Sequence, residues 1–150
     1  MDLLYTFLIS ISPLGEARVG IPYGALKGIP IGYAFLVGWI ANLLVFPVFY
    51  KVIQFSNREL WKNRWYKKFA LFLSKRAKSK TQNSIKKYGL WGLMVFVMIP
   101  LPITGSYMGT LAAYILGIDY KKSLIAVNIG VTISCIIIST TMYFGVKSFL

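Results

Sequence analysis

The segment Ile99-Pro100-Leu101-Pro102-Ile103-Thr104-Gly105-Ser106 decides how this chain is read. It lies in the middle of residues 88–118, a run without a charged side chain. One straight helix over those 31 residues would be roughly 46 Å long at 1.5 Å per residue. That is too long for about 30 Å of hydrocarbon. Pro100, Pro102 and Gly105 break the helix at its centre instead. Residues 3–26 behave alike, because Ser12-Pro13-Leu14-Gly15 interrupts them and Glu16 and Arg18 follow at once. Each half of a broken region has roughly the 10–14 residues of a re-entrant segment rather than the 20 of a span. Both regions are therefore expected to be helical hairpins that dip into a membrane and return on the same side. The alternative is a set of short, strongly distorted spans.

The two other apolar runs are simpler. Residues 28–50 lie uncharged between Lys27 and Lys51, and residues 123–146 between Lys122 and Lys147. Each is long enough for a helix across a bilayer. The second contains Ile136-Ile137-Ile138 and Thr140-Thr141, which in water would favour strand. In lipid a lone strand leaves its backbone unpaired, so helix is expected.

Composition agrees. Of 150 residues 57% are hydrophobic and 14% charged, with a mean hydropathy of +0.64. A soluble domain carries about 25% charged residues. The length suits one compact domain. A membrane protein is expected, not a cytosolic enzyme. The chain has no histidine and one cysteine, Cys135. No imidazole, paired membrane carboxylate or nucleophile–base pair is available, so neither catalysis nor a metal or cofactor is expected. Met1-Asp2 opens the chain without a basic n-region, unlike a cleavable signal peptide.

A shift of 89 positions aligns the halves: Pro13 falls on Pro102, Gly20 on Gly109, Gly24 on Ala113, Gly28 on Gly117 and Ile29 on Ile118. Charge then sets the orientation. Of 17 Lys and Arg against 4 Asp and Glu, twelve lie in residues 51–87 beside one acid, Glu59, and Lys121 and Lys122 precede the last span. The positive-inside rule makes these cytoplasmic. The span 28–50 then runs inward and 123–146 outward, and both termini lie outside. The expected fold is an all-α polytopic membrane protein. It is an inverted repeat of re-entrant hairpin plus transmembrane helix, with halves 1–50 and 88–150 joined by a basic amphipathic cytoplasmic segment, 51–87. The plasma membrane is the expected location. Substrate sites of such repeats lie at the midplane where broken helices meet.

Within the basic segment Trp61, Trp65, Phe69 and Phe72 recur at helical spacing, flanked by Lys62, Arg64, Lys67 and Lys68. The segment is either an ordinary cytoplasmic loop or a helix lying on anionic lipid headgroups. Residues 74–87 read as a mobile connector. Topology accounts for the net charge of +13 without nucleic acid.

Glu16 and Arg18 are the residues placed to do chemistry. Charged groups at membrane depth face a partner or a water-filled cavity. At i,i+2 the two point to different sides of a helix and need not pair. They follow Pro13-Leu14-Gly15, where a helix is expected to begin and its free N–H groups suit an anion. The functional reading makes Arg18 an anion ligand and Glu16 a proton carrier. The structural reading makes them charges that close the hairpin. The second tip offers Thr104, Gly105, Ser106 and Tyr107, either as helix caps or as ligand groups opposite Glu16 and Arg18. Asn42 and Asn128, inside the long spans, line a cavity or bond a neighbouring helix. Gly20, Gly24, Gly28, Gly109, Ala113 and Gly117 form small-residue ladders for close helix packing. The stretch 105–109 lacks the lysine of a P-loop. Cys135 is expected to be inert.

The two break motifs, Ser12-Pro13-Leu14-Gly15-Glu16-Ala17-Arg18-Val19-Gly20-Ile21-Pro22 and Ile99-Pro100-Leu101-Pro102-Ile103-Thr104-Gly105-Ser106, resemble those of the small multidrug-export family of prokaryotic membrane proteins. That family resembles the wider DedA/VTT superfamily, whose members carry two opposed re-entrant hairpins and include lipid-carrier translocases and scramblases. The resemblance implies transport, with Glu16 and Arg18 as the matching charged positions of the first hairpin. DedA proteins also place arginines near the second break, where this chain has Thr104 and Ser106. The leading expectation is an ion- or proton-coupled transporter or a lipid-phosphate translocase, working as a homodimer on a small solute, ion or lipid phosphate. The alternatives are a drug–proton exporter of the small multidrug resistance type and a non-transporting membrane scaffold.

Overall fold

The computed structural model describes residues 1–60, 62–78, 82–100 and 105–149, and their side chains except at 57, 58, 60, 70, 73–78, 82–88 and 146–149. Trp61, Pro102 and Thr104, singled out above, lie outside the described residues. Among the described residues the chain forms seven helices and no strand. They are α1 (Asp2–Ile11), α2 (Glu16–Leu26), α3 (Ile31–Leu60), α4 (Arg64–Lys78), α5 (Gln82–Met98), α6 (Ser106–Ile115) and α7 (Tyr120–Phe149).

The long helices α3 and α7 contain stretches long and apolar enough to cross a membrane, Ile31–Ser56 and Tyr120–Gly145. Only 33% of each apolar window is buried inside the protein. Leu36, Ile40, Leu44 and Val48 of α3, and Ile125, Ile129, Ile136 and Ile137 of α7, face outward. Such helices are not the buried core of a soluble fold, whose apolar faces would turn inward. Between them Ala17, Ile21, Phe46, Val97, Ala113, Val127, Val131 and Cys135 form the core.

The chain breaks where the prolines foretell it. α1 stops at Ser12 and α2 starts at Glu16, and the two pack against each other and on α3. α5 stops at Met98 and α6 starts at Ser106. Both returning helices end in the same way. The Ile29 N–H donates to the Gly24 carbonyl at 3.1 Å, and the Ile118 N–H to the Ala113 carbonyl at 3.1 Å. Gly28 and Gly117 hold the left-handed φ values of +81° and +64° that this helix stop requires. A 30-residue helix then begins in each case. Ala34 donates to the Pro30 carbonyl at 3.2 Å and Ser123 to the Asp119 carbonyl at 2.9 Å. All of these partners are 89 positions apart.

The small-residue ladders divide in two. A Cβ on Gly20 would strike Ser10 and the Thr6 carbonyl, one on Gly24 the Thr6 side chain and Ala34, and one on Gly109 the Val97 side chain. These are close-approach sites, and Ala113 is fully buried beside them. Gly28 and Gly117 meet nothing within 4 Å. They are helix stops, because a ladder ends where its helix does.

The basic segment is more helical than expected. α3 runs on through Lys51 to Leu60, and residues 74–78 and 82–87 are the end of α4 and the start of α5 rather than a mobile connector. The Asn63 side chain caps α4 by accepting from the Trp65 N–H at 3.0 Å. The buried face of α4 is Tyr66, against Ile53 and Leu111, with Phe69 packed beside it. Trp65 stacks on Phe69 and is exposed, as are Phe72, Lys62, Lys67 and Lys68.

Two glycine substitutions separate these roles. Gly117→Ala loses about 1 kcal/mol, the lower end of a left-handed L-residue's penalty. Gly20→Ala loses about 2 kcal/mol, because the new methyl meets backbone. Denaturation in detergent micelles, followed by helical circular dichroism, measures both.

Candidate functional site

Four helix ends converge at the core: the C-termini of α1 and α5 and the N-termini of α2 and α6. Glu16 opens α2 with φ +49°, a left-handed conformation that costs an L-residue about 1–2 kcal/mol. Its N–H is held by the Ser12 carbonyl at 3.1 Å, and the Gly15 N–H by the Ser12 hydroxyl at 3.0 Å. This conformation aims the carboxylate away from its own helix and into the other half of the chain.

There it meets the start of α6. Glu16 Oε1 accepts from the Tyr107 N–H at 3.4 Å, with the Ser106 amide beside it. α6 has Gly105 as its N-cap residue and no side-chain cap of its own. The carboxylate of Glu16 supplies the missing acceptor at the positive end of the helix. Gly105 is what makes room, because a Cβ there would fall inside the carboxylate.

Arg18 does the converse. Its Nη2 donates to the Val97 carbonyl at 3.1 Å. Val97 is among the last four residues of α5, whose carbonyls lack an intrahelical partner. Nε of Arg18 lies 4.0 Å from Glu16 Oε2, and both side chains are about nine-tenths buried, 12% and 9% exposed. The pair does form, against the i,i+2 expectation. That expectation assumed two regular helical residues, and Glu16 is left-handed. The 4.0 Å contact is at the limit for an ion pair and is not a bidentate fork. The shorter contacts of each charge are to a helix end of the opposite sign.

The arrangement is reciprocal. Position 107 lies 89 residues after position 18. The Tyr107 hydroxyl donates a short hydrogen bond to the Ile11 carbonyl, at the C-terminus of α1. So Arg18 of α2 caps α5, and Tyr107 of α6 caps α1. Glu16 and Gly105 are likewise 89 apart and meet each other. One carboxylate serves both positions because two side chains do not fit.

The remaining residues sort themselves around this clasp. Ser106 does not cap its helix. Its hydroxyl donates to Asn42 Oδ1 at 2.8 Å, tying α6 to α3, and Thr110 donates to the Ser106 carbonyl at 2.6 Å. Pro13 and Pro100 are exposed at the breaks. Asn128 sits instead on the seam of α3 and α7. Its backbone carbonyl accepts from the Thr132 hydroxyl, which accepts from the Trp39 indole, and its buried Oδ1 has no hydrogen-bond partner among the described residues. Cys135 is buried in the core cluster. The pairing of Tyr107 with Arg18 was legible in the 89-residue shift. The role of Val97 was not, because a backbone carbonyl leaves no mark in sequence. Among the described residues no cluster of His, Cys, Asp or Glu could hold a metal.

The contact between positions 16 and 105 is testable. Gly105→Ala lowers stability by about 3 kcal/mol, because its methyl has nowhere to go. In the Glu16→Gly background the methyl fits, so the double variant is at least about 1 kcal/mol more stable than the two single losses predict. Additive losses in a thermal-melt double-mutant cycle would mean that the two positions do not touch.

No curated relative and no solved structure matches the chain. The family model described as "Putative small multi-drug export protein" matches residues 16–137. The match begins at Glu16 and contains both charges, Asn42 and the whole of α6 described above. On that match, the chain belongs to the small multi-drug export protein family.

Proposed function

We propose that this membrane protein is a transporter whose site lies between the two helix breaks and is worked by Glu16 and Arg18. The observation that carries the reading is a buried acid–base pair, each member bound to a helix end of the opposite half. Charges at membrane depth are expensive and are kept where they work on a proton, an ion or a substrate. Neutralising Glu16 by a proton removes the anion from the start of α6 and from Arg18. An anionic substrate group on Arg18 and the α6 amides competes with Glu16 for the same place. Either event undoes a contact between halves, which is how binding is coupled to their relative movement.

Several features support opposed re-entrant hairpins. α1, α2 and α6 have ten or eleven residues each, and the apolar part of α5 is Gly89–Met98. At 1.5 Å per residue each covers about 15 Å, half of the hydrocarbon. The matching stops and starts at an interval of 89 residues favour a repeat. The rings of Tyr50 and Tyr120 pack 4.9 Å apart, which brings Lys51 and Lys121 to one side. By the positive-inside rule that side is cytoplasmic, and both termini lie outside, in the plasma membrane. The exposed Trp65, Phe72 and lysines of α4 suit an anionic membrane surface. Two long helices and two short hairpins make a thin wall for a solute path, which favours a homodimer.

The substrate is an ion, a small solute or a lipid phosphate. The family description favours a second reading, drug export, with a proton on the same glutamate as the coupling ion. A scaffold without transport is the third.

Flux of labelled lipid phosphates and cationic drugs in proteoliposomes separates these. Glu16→Gln keeps the fold, since the amide oxygen still accepts from α6, and abolishes pH-dependent flux. Arg18→Lys lowers flux at least tenfold, because a lysine lacks the planar fork. Normal flux in both variants alongside lower melting temperatures would make the clasp structural. Cysteine labelling adds the topology: a thiol at position 80 reacts only from the cytoplasm, and thiols at 1 and 150 only from outside.

A further inference from the structure

A groove of about 210 Å³ runs along α5 and α7. It is lined by Leu90, Trp91 and Met94 of α5 and by Ile125, Ala126 and Ile129 of α7, with Lys122 as its charged member. Positions 122, 125, 126 and 129 are one helical face. Lys122 therefore stands at one end, about 10 Å from Ile129 along the helix axis. Ala126 is buried and forms the floor, while Trp91 and Ile125 are both 60% exposed and form walls.

We infer that this groove binds one anionic phospholipid of the inner leaflet, its acyl chain along Ala126 between Trp91 and Ile129 and its phosphate on Lys122. The apolar lining offers no hydrogen bond to a polar solute, so the buried part of the occupant is hydrocarbon. The charge at the mouth selects the head. Lys122 and its neighbour Lys121 are exposed, and Asp119 precedes them in the sequence. A lysine near an anionic surface is worth about a fivefold preference. A second copy of the chain fits less well, because a two-fold partner centred on the groove would bring its own Lys122 to the same rim. The inference uses the orientation proposed above and is independent of any transport.

The test is quenching of tryptophan fluorescence in phosphatidylcholine vesicles. A small fraction of either phosphatidylglycerol or phosphatidylcholine carries brominated chains. Trp91→Phe, compared with the unaltered protein, isolates the signal from Trp91. The brominated anionic lipid should quench Trp91 at about fivefold lower mole fraction than the neutral one. Lys122→Gln, an exposed change that leaves packing intact, should make the two lipids equal. Ala126→Leu, which raises the floor, should weaken quenching by the anionic lipid towards that of bulk lipid. Equal quenching by both lipids in the unaltered protein would overturn the proposal. So would a Trp91 shielded from both, which would place a second copy in the groove.

Discussion

Two ionisable side chains lie buried in an apolar chain, and the ends of broken helices take the place of water. Placing either charge at membrane depth costs about 2.5–3.5 kcal/mol even on insertion scales. A single 4.0 Å contact between Glu16 and Arg18 is a weak return for burying both, since desolvation commonly outweighs the Coulombic gain. The helix ends change the balance. A charge on a partly buried helix terminus gains up to about 2 kcal/mol, and here each charge has one of the right sign. The left-handed backbone of Glu16 fits the same account. Such strain persists only where the surroundings over-determine it, and Ser12, Gly15, Tyr107 and Gly105 all bear on that residue.

The clasp also explains why both breaks exist. An uninterrupted helix has no free N–H groups or carbonyls in its middle. Cutting two helices supplies four ends, and three of them are occupied by side chains from across the molecule. Arg18 goes to α5, Tyr107 to α1 and Glu16 to α6. Ser106 and Asn42 then fix α6 to the long helix α3. Polar contacts at the centre join the halves, and close approaches such as Gly20 of α2 on α1 and Gly130 of α7 on α5 pack each half within itself. Lipid gives helices no hydrophobic reason to associate, so packing and buried hydrogen bonds must do it.

A family of exporters and a clasp closed on itself are compatible. In this conformation the groups of the clasp are occupied by the protein's own atoms. The same geometry therefore stabilises one state and defines what has to be broken to leave it. A purely structural clasp has no need of a titratable group at its centre. An amide at position 16 would accept the same hydrogen bonds without bringing a charge into the membrane.

Much of the fold was legible because it follows from local rules. The clustered prolines and glycines of Ser12–Gly15 and of 99–105 mark the two helix breaks, whereas the lone Pro22 and Pro47 lie inside helices. Long uncharged runs ending in lysines make long helices, and Gly28 and Gly117 stand where a helix must turn left-handed. The 89-residue shift, read from a few small residues, coincides with the helix stops and starts. The bounds of the basic segment were less legible. Helix α3 continues through Lys51, and α4 and α5 take up 74–78 and 82–87 of the expected connector, because lysine is a good helix former. What only the tertiary structure decided is the partnership at the centre. Sequence spacing set Glu16 and Arg18 on different faces of one helix. The left-handed φ of a single residue turned the carboxylate across the chain to α6, where Gly105 leaves space for it. Which backbone carbonyl a side chain reaches depends on how two distant segments dock, and no local pattern of residues encodes that.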